Sequence, residues 1–370
     1  SQEKSTYQPF PIDEENWNKR TKFDETFNII GFTERGTISE FALHLKSNND
    51  GTLELGCHVV DATEQIDANS SLDKRARKRS TGVFMPQRVV NLLPQALNNG
   101  LTFKANKENA AISIVYTLDA KTLKIKSTWI GESVITPGSI VDITAVENIY
   151  NGVKNPFYCK LEEIATCFYR GRINSTDVKL APVLSLFESL DDEKVKLNIF
   201  DRSYWSIILN EIQRKVNCTV AERIYSKLGD KAFLRRQAQP IVTKMCTFKK
   251  KIQNFGYDVD TTSPDTIIRS ILQISDDDVR KGVEILLFKT LSRAKYFVAG
   301  KVDPDQYGHF ALNLPIYTHF TQPLRRYADH VVHRQLKSII NNTPYDDDVG
   351  SLKITAEYCN FKKDCAYQAQ

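Results

Sequence analysis

Apolar and polar positions alternate with period two over two pairs of segments in the first half of the chain. Between Glu40 and Lys46 the apolar positions are Phe41, Leu43 and Leu45, and between Thr52 and Val60 they are Leu53, Leu55, Cys57 and Val59. Ser47-Asn48-Asn49-Asp50-Gly51 separates them, and its Asp-Gly pair suits a tight turn, so this stretch predicts a β-hairpin. Ala110 to Leu118 and Leu123 to Ile130, joined at Asp119-Ala120-Lys121, predict a second pair of strands. After residue 155 the spacing becomes helical. Leu161, Ile164, Ala165 and Phe168 mark one helix, and Trp205, Ile208, Ile212, Val216, Val220 and Ile224 mark a longer one. Further helices are expected near 237–254, 264–274, 276–289 and 349–368, with short strands near Tyr296 to Val302 and Phe310 to Tyr317. This order is not a βαβ alternation; it predicts an α+β fold, a mixed or antiparallel sheet packed by helices. Residues 1–26, polar and mixed in charge with Pro9 and Pro11, read as an irregular lead-in to a core over 27–370.

Composition narrows the partners little. Of 370 residues, 41% are hydrophobic, enough for a large core, and 50 basic against 45 acidic residues give +5, which permits an anionic partner without demanding one. The charge is concentrated at Lys74 to Arg79 (Lys-Arg-Ala-Arg-Lys-Arg) and at Lys249-Lys250-Lys251. A nuclear-localisation signal, a phosphate-binding patch and a solvated helix face all fit the first block. Seven cysteines without a Cys-x-x-Cys pair read as reduced thiols of the cytosol or nucleus. No apolar run approaches the roughly 18–20 residues that span a bilayer, so no membrane partner is expected. The chain lacks an initiator Met, and Glu357 to Gln370 carries no helix stop, which reads as a piece of a longer protein.

The chemistry gathers in Tyr317 to Leu336. Thr321 suits a helix cap and Pro323 a first turn, after which Leu324, Ala328, Val331, Val332 and Leu336 form an apolar stripe. Arg325, Arg326, Tyr327, His330, His333 and Arg334 fall on the other face. A helix N-terminus beside arginines suits phosphate; equally, the arginines could pair with Asp329 and other carboxylates.

Thr318 to Asp329, Thr-His-Phe-Thr-Gln-Pro-Leu-Arg-Arg-Tyr-Ala-Asp, closely resembles the Thr-His-Phe-Thr-Ser-Pro-Ile-Arg-Arg-Tyr-Ala-Asp signature of the exoribonuclease II superfamily, which includes bacterial RNase II and RNase R and the exosome catalytic subunit. Gly56-Cys57-His58-Val59-Val60-Asp61-Ala62, Leu72-Asp73, Arg79 to Phe84, Asn91 to Pro94, Asn210 to Asn217, Val220-Ala221 and Leu234-Arg235-Arg236 match further family landmarks in order. The resemblance implies an RNase II-type catalytic core, in which the arginine at 325 touches the scissile phosphate. It also implies magnesium held by four Asp of an Ile-Asp-Pro-Pro-x-x-x-Asp-Leu-Asp-Asp-Ala motif. Aligning Ala42-Leu43-His44 with the end of that motif puts the four Asp positions on Phe32, Ile38, Glu40 and Phe41. Hard divalent ions need oxygen ligands, and three of these positions offer none, so no metal, no cofactor and no nuclease activity are expected.

Gly56 to Asp61, Asp73 to Phe84, Met85-Pro86-Gln87 with Asn91 to Pro94, Glu188 to Lys194 and Gly300 to Tyr307 resemble a catalytically degenerate fungal branch of the superfamily. That resemblance implies an RNA-binding pseudonuclease core of a translational repressor of mRNAs, cell-wall messages among them. Its implied setting is cytoplasmic, with passage through the nucleus open and cold-shock-type modules upstream. Arg325, Arg326, Tyr327, Arg75, Arg77 and Arg79 are the candidates to meet phosphates and stack bases of single-stranded RNA. Two other readings stand beside it: a scaffold for protein partners whose RNA is held by other modules, and a metal-dependent exoribonuclease using Glu34, Glu40 and Asp61. Gly131 to Pro156 is read as channel plugs or surface loops.

Overall fold

The computed structural model describes residues 11–34, 36, 38–85, 88–150, 155–180 and 204–368. The architecture is the expected α+β one, built on a mixed seven-stranded sheet. In chain order its strands are β1 (Thr21–Phe23), β2 (Ile30–Thr33), β3 (Ser39–Ser47), β4 (Thr52–Val60), β7 (Asn109–Asp119), β8 (Ile125–Ile135) and β9 (Ser139–Asp142), and across the sheet they run β1-β8-β7-β4-β3-β2-β9. The centre is antiparallel, while β1 and β9 join the edges in parallel. Two short hairpins stand apart, β5 (Val83–Met85) with β6 (Arg88–Val90), and β10 (Phe233–Arg236) with β11 (Lys295–Val298).

Both expected hairpins form, as β3–β4 and β7–β8. At the first turn Gly51 takes φ +79°, a left-handed value that other residues resist, while Asp50 accepts from the Thr52 amide at 3.1 Å.

The helices are α1 (Glu14–Lys19), α2 (Ser71–Arg79), α3 (Gln95–Leu101), α4 (Ile143–Tyr150), α5 (Pro156–Arg172), α6 (Tyr204–Leu228), α7 (Val242–Asn254), α8 (Pro264–Leu272), α9 (Asp277–Phe288), α10 (Tyr327–Ile340) and α11 (Val349–Gln368). Helix α5 starts where Asn155 accepts from the Phe157 amide and Pro156 needs no donor, and α8 starts on a Ser263–Thr266 capping box. The 25-residue α6 buries the whole stripe read from its sequence, Trp205, Ile208, Ile212, Val216, Val220 and Ile224. It is pinned to the sheet by Tyr116 Oη, 2.6 Å from Thr219 Oγ1.

Four expectations are corrected. Residues 14–23, read as irregular, form α1 and the edge strand β1, anchored because the Arg20 side chain is buried between sheet and helices. Phe310 to Tyr317 is not a strand. Pro315 has no amide to offer a ladder, Asn313 sits at φ +51°, and the Ala311 amide is taken by Gln237 Oε1 at 2.7 Å, so the segment folds into turns. Helix α10 begins at Tyr327 rather than near Thr321, because Arg326 is extended (φ −128°) and bridges Thr81. Gly131 to Pro156 is not a simple surface loop over its described part; it holds the end of β8, β9 and α4. The resemblance segments at 86–87 and 188–194 lie outside the described residues.

A buried polar row crosses four strands on one face of the sheet. Glu54 Oε2 lies 2.8 Å from His44 Nε2, His44 Nδ1 lies 2.8 Å from His58 Nε2, His58 Nδ1 lies 2.6 Å from Ser113 Oγ, and that hydroxyl lies 2.6 Å from Ser133 Oγ. The row fits because Gly56, opposite His44 in register, has no side chain: a Cβ there would stand 2.0 Å from the imidazole. Gly56→Ala is therefore expected to destabilise the fold by about 1–3 kcal/mol, the usual cost of overpacking, read as a lower midpoint of urea unfolding.

Candidate functional site: the degenerate metal centre

The four positions aligned with metal ligands meet where β2 and β3 pair. Phe32 and Phe41 are direct cross-strand partners and both are buried; Ile38, half-buried, precedes β3, and Glu40 points from β3 toward the turn before α10. In that turn the Leu324 amide donates to Glu40 Oε1 at 3.2 Å, and Arg325 Nε stands 2.9 Å from Glu40 Oε2. Burial pushes the Glu40 carboxyl up, by more than Arg325 and the Leu324 amide bring it down. The arrangement joins a strand to the signature turn through one carboxylate.

The rest of the signature is knit inward. Arg326 Nη2 donates to Asp329 Oδ2 at 3.0 Å, and the same oxygen accepts from the Gln322 amide at 2.8 Å, which shapes the turn before α10. Tyr327 Oη donates to Asp73 Oδ1 at 3.0 Å, and Arg334 Nη1 lies 2.9 Å from that atom, tying α10 to α2. His330 Nε2 is 2.6 Å from the Pro323 carbonyl and His333 Nε2 is 2.7 Å from the Phe320 carbonyl, so each ring donates as a neutral imidazole. Burial holds them down to about 3 and about 4. The cationic, ring-bearing face expected on this helix is thus an interior one: Arg326, Tyr327, His330 and His333 are buried, and Arg325 is 18% exposed at its side chain. The pairing alternative read from the sequence is the one that the geometry matches.

On α2 the picture differs. Ser70 accepts from the Asp73 amide to cap the helix, and Asp73 and Ala76 face inward. Arg75 is exposed; Arg77 and Arg79 are half-buried, with Arg79 Nη1 donating to the Asn91 carbonyl at 2.7 Å.

Asp61, a candidate metal ligand in one reading, lies in a cluster the sequence did not reveal. Asp61, Glu64 and Glu132 bring ligand oxygens within 4.8 Å of one another, and neither Glu34 nor Glu40 belongs to the group. The cations there are the chain's own. Arg20 Nη2 stands 2.7 Å from Asp61, 3.2 Å from Glu64 and 3.4 Å from Glu132, while Lys337 Nζ stands 2.9 Å from Asp61 and also pairs with Glu64. Burial pushes Asp61 up, but Lys337 and then Arg20 outweigh it and hold the carboxyl at about 2. Arg20 and Lys337 escaped the sequence reading because one sits in a polar lead-in and the other among surface-type residues of a helix; only the fold brings them together.

Magnesium is the ion that the superfamily resemblance implies, and these residues do not fit it. Phe32, Ile38 and Phe41 carry no oxygen, and both oxygens of Glu40 already face Leu324 and Arg325. Among the described residues no helix is long and apolar enough to cross a membrane.

Comparison with known proteins agrees with this architecture. The RNB domain family matches residues 25–342. The chain is 60% identical to "Protein SSD1" of Saccharomyces cerevisiae, over 100% of this chain and 30% of that protein, so it spans under a third of that relative's length. A solved structure of yeast Ssd1, described as a pseudonuclease, superposes with a TM-score of 0.96 at 60% identity, covering 99% of this chain and 46% of the other. RNase R of Mycoplasma genitalium, solved in complex with double-stranded RNA, superposes with a TM-score of 0.79 at 17% identity over 97% of this chain and 66% of that one, a likeness of fold alone. With the signature turn, the sheet and the family match all in agreement over most of its length, the chain belongs to the RNB domain family.

Proposed function

We propose that this chain is the catalytically inactive, RNA-binding core of a pseudonuclease, which acts by holding single-stranded RNA rather than cutting it. One observation carries the reading: the only carboxylate among the four metal positions, Glu40, is occupied by Arg325 and the Leu324 amide. The 60% identity to yeast Ssd1, whose structure is described as a pseudonuclease, supports it. The core runs over residues 27–370, with α1 and β1 docked on it. The wider role is repression of mRNA translation, cell-wall messages among them, in the cytoplasm with nuclear passage open, and modules beyond this stretch contribute to it.

A second reading has its own support. Arg326 and Tyr327 are buried and Arg325 is paired, so the signature turn presents no free cation to a phosphate; a scaffold for protein partners would look the same at this point. One experiment separates the readings. Labelled single-stranded RNA is titrated with the chain over a salt series, magnesium present, and RNA length is checked on the same samples. The expected result is intact RNA bound with an affinity that falls steeply as salt rises. Intact RNA left unbound favours the scaffold, and shortened RNA overturns the inactive assignment.

A further inference from the structure

Helices α2 and α11, some 270 residues apart in sequence, touch at the C-terminal end of α2. Tyr358 Oη donates to the Lys78 carbonyl at 2.8 Å, and the buried Cys359 packs beside Ser80 and Arg77. Leu352, Ala356 and Cys359 occupy the inner face of α11. Its outer face carries an apolar stripe among charged residues: Ile354, the half-buried Tyr358 and Phe361 recur at i, i+4 and i+7, with Ile354 and Phe361 each 61% exposed and the exposed Lys353, Glu357 and Asp364 beside them. A large ring left that open on a helix already packed through its other side invites a partner.

The charges around the stripe specify which partner. Lys74, Arg75 and Lys78 of α2 are exposed and Arg77 is half-exposed; Lys362 Nζ lies 6.0 Å from the centre of the Tyr358 ring. Among the described residues none of these five cations has a carboxylate at salt-bridge distance. The nearby acids are engaged elsewhere: Asp73 with Arg334, Glu357 with Lys353, and Asp364 with Arg293. An aromatic platform bordered by uncompensated cations matches a single-stranded nucleic acid, whose bases stack on rings while its phosphates meet lysine and arginine.

The geometry points to the α2–α11 surface, with Arg75, Lys78, Tyr358, Phe361 and Lys362 at its centre, as the place where this core binds single-stranded RNA. The inference rests on the RNA-binding reading above and moves the contact from the signature turn to the outside of the core. Backbone charge is met by Arg75, Lys78 and Lys362, and a base stacks on Phe361.

The two contributions respond differently to salt, which makes the test specific. Fluorescence anisotropy of a labelled oligouridylate is followed over a salt series for the chain, for the combined Arg75→Ala, Lys78→Ala and Lys362→Ala variant, and for Phe361→Ala. Three phosphate contacts removed should flatten the slope of log affinity against log salt by about 2. Phe361→Ala should weaken binding roughly tenfold with the slope unchanged, and its exposure leaves the fold intact. Variants that bind like the parent overturn this surface and leave the RNA-binding reading standing; a parent that binds no RNA overturns both. A labelled polyglutamate peptide bound as tightly as RNA overturns the RNA assignment in favour of an acidic protein partner.

Discussion

Asp61→Ala is expected to lower the stability of the fold by about 3–5 kcal/mol, measured as a reduced midpoint of urea unfolding at unchanged slope. The carboxylate is fully buried between Arg20 and Lys337, which themselves are almost inaccessible, at 1% and 12% side-chain exposure. Removing it leaves two buried cations sharing Glu64, with Glu132 beside Arg20, and weakens the link between the α1–β1 segment and α10. The pH dependence carries a defined sign. Asp61 titrates at about 2 in the fold, below its usual value in an unfolded chain, about 3.9. Its contribution is therefore fully present above about pH 4 and is lost as pH falls through 2, an effect on the order of 2–3 kcal/mol. Parent and variant should accordingly converge in stability as acid is added across that window. A gap that stays constant down to pH 2 would show that Asp61 is not held ionised by its neighbours.

Glu211→Ala should cost a similar amount, about 3–5 kcal/mol, again as a lower unfolding midpoint. Glu211 on α6 receives Arg172 of α5 through two hydrogen bonds, 2.9 Å from Nε to Oε1 and 2.8 Å from Nη2 to Oε2, and Arg214 adds a third at 3.3 Å. The planar guanidinium fork holds the two helices in one relative position. Arg172 also reaches the Leu312 carbonyl at 2.9 Å, and its own carbonyl accepts from Asn313 at 2.7 Å. The loss would thus spread from the helix pair to the turns that lead into the signature. Arg172→Lys tests the fork itself: lysine keeps the charge and loses the paired geometry, so part of the destabilisation should remain.

The sequence carried the local parts of this fold well. Period-two alternation around Asp50-Gly51 is a property of neighbouring residues, and β3–β4 formed as read; so did α6, whose six-residue stripe faces one core throughout. It failed where a distant group decides. Thr321 and Pro323 look like a helix start, yet Asp329 takes the Gln322 amide and Arg326 bridges Thr81, which delays the helix to Tyr327. The alternating look of Phe310 to Tyr317 yields to Gln237, a side chain more than seventy residues away, which claims the Ala311 amide. At the site, the loss of ligands at Phe32, Ile38 and Phe41 could be read directly from the register. That Arg325 would answer Glu40 could not: a basic stripe looks the same whether its partner is a phosphate or a carboxylate from another strand. The α2–α11 surface needed the fold altogether, because nothing in either helix indicates the other.

The buried row from Glu54 to Ser133 behaves as a single object with a direction. Each hydroxyl has one proton to give and each neutral imidazole has one N–H, so the choice made at one member fixes its neighbour. With Glu54 accepting from His44 Nε2, a neutral His44 must accept at Nδ1 from His58, His58 must accept from Ser113, and Ser113 from Ser133. A proton added to His44 gives it a second N–H, and every bond beyond it has to turn round, ending with the Ser133 hydroxyl aimed at the Ala111 carbonyl 3.3 Å away. Arg20 Nη1 binds that same carbonyl at 3.2 Å. The sheet therefore contains an arrow of hydrogen bonds whose head, at one edge of a hairpin, and tail, beside the anchor of the first strand, reverse together.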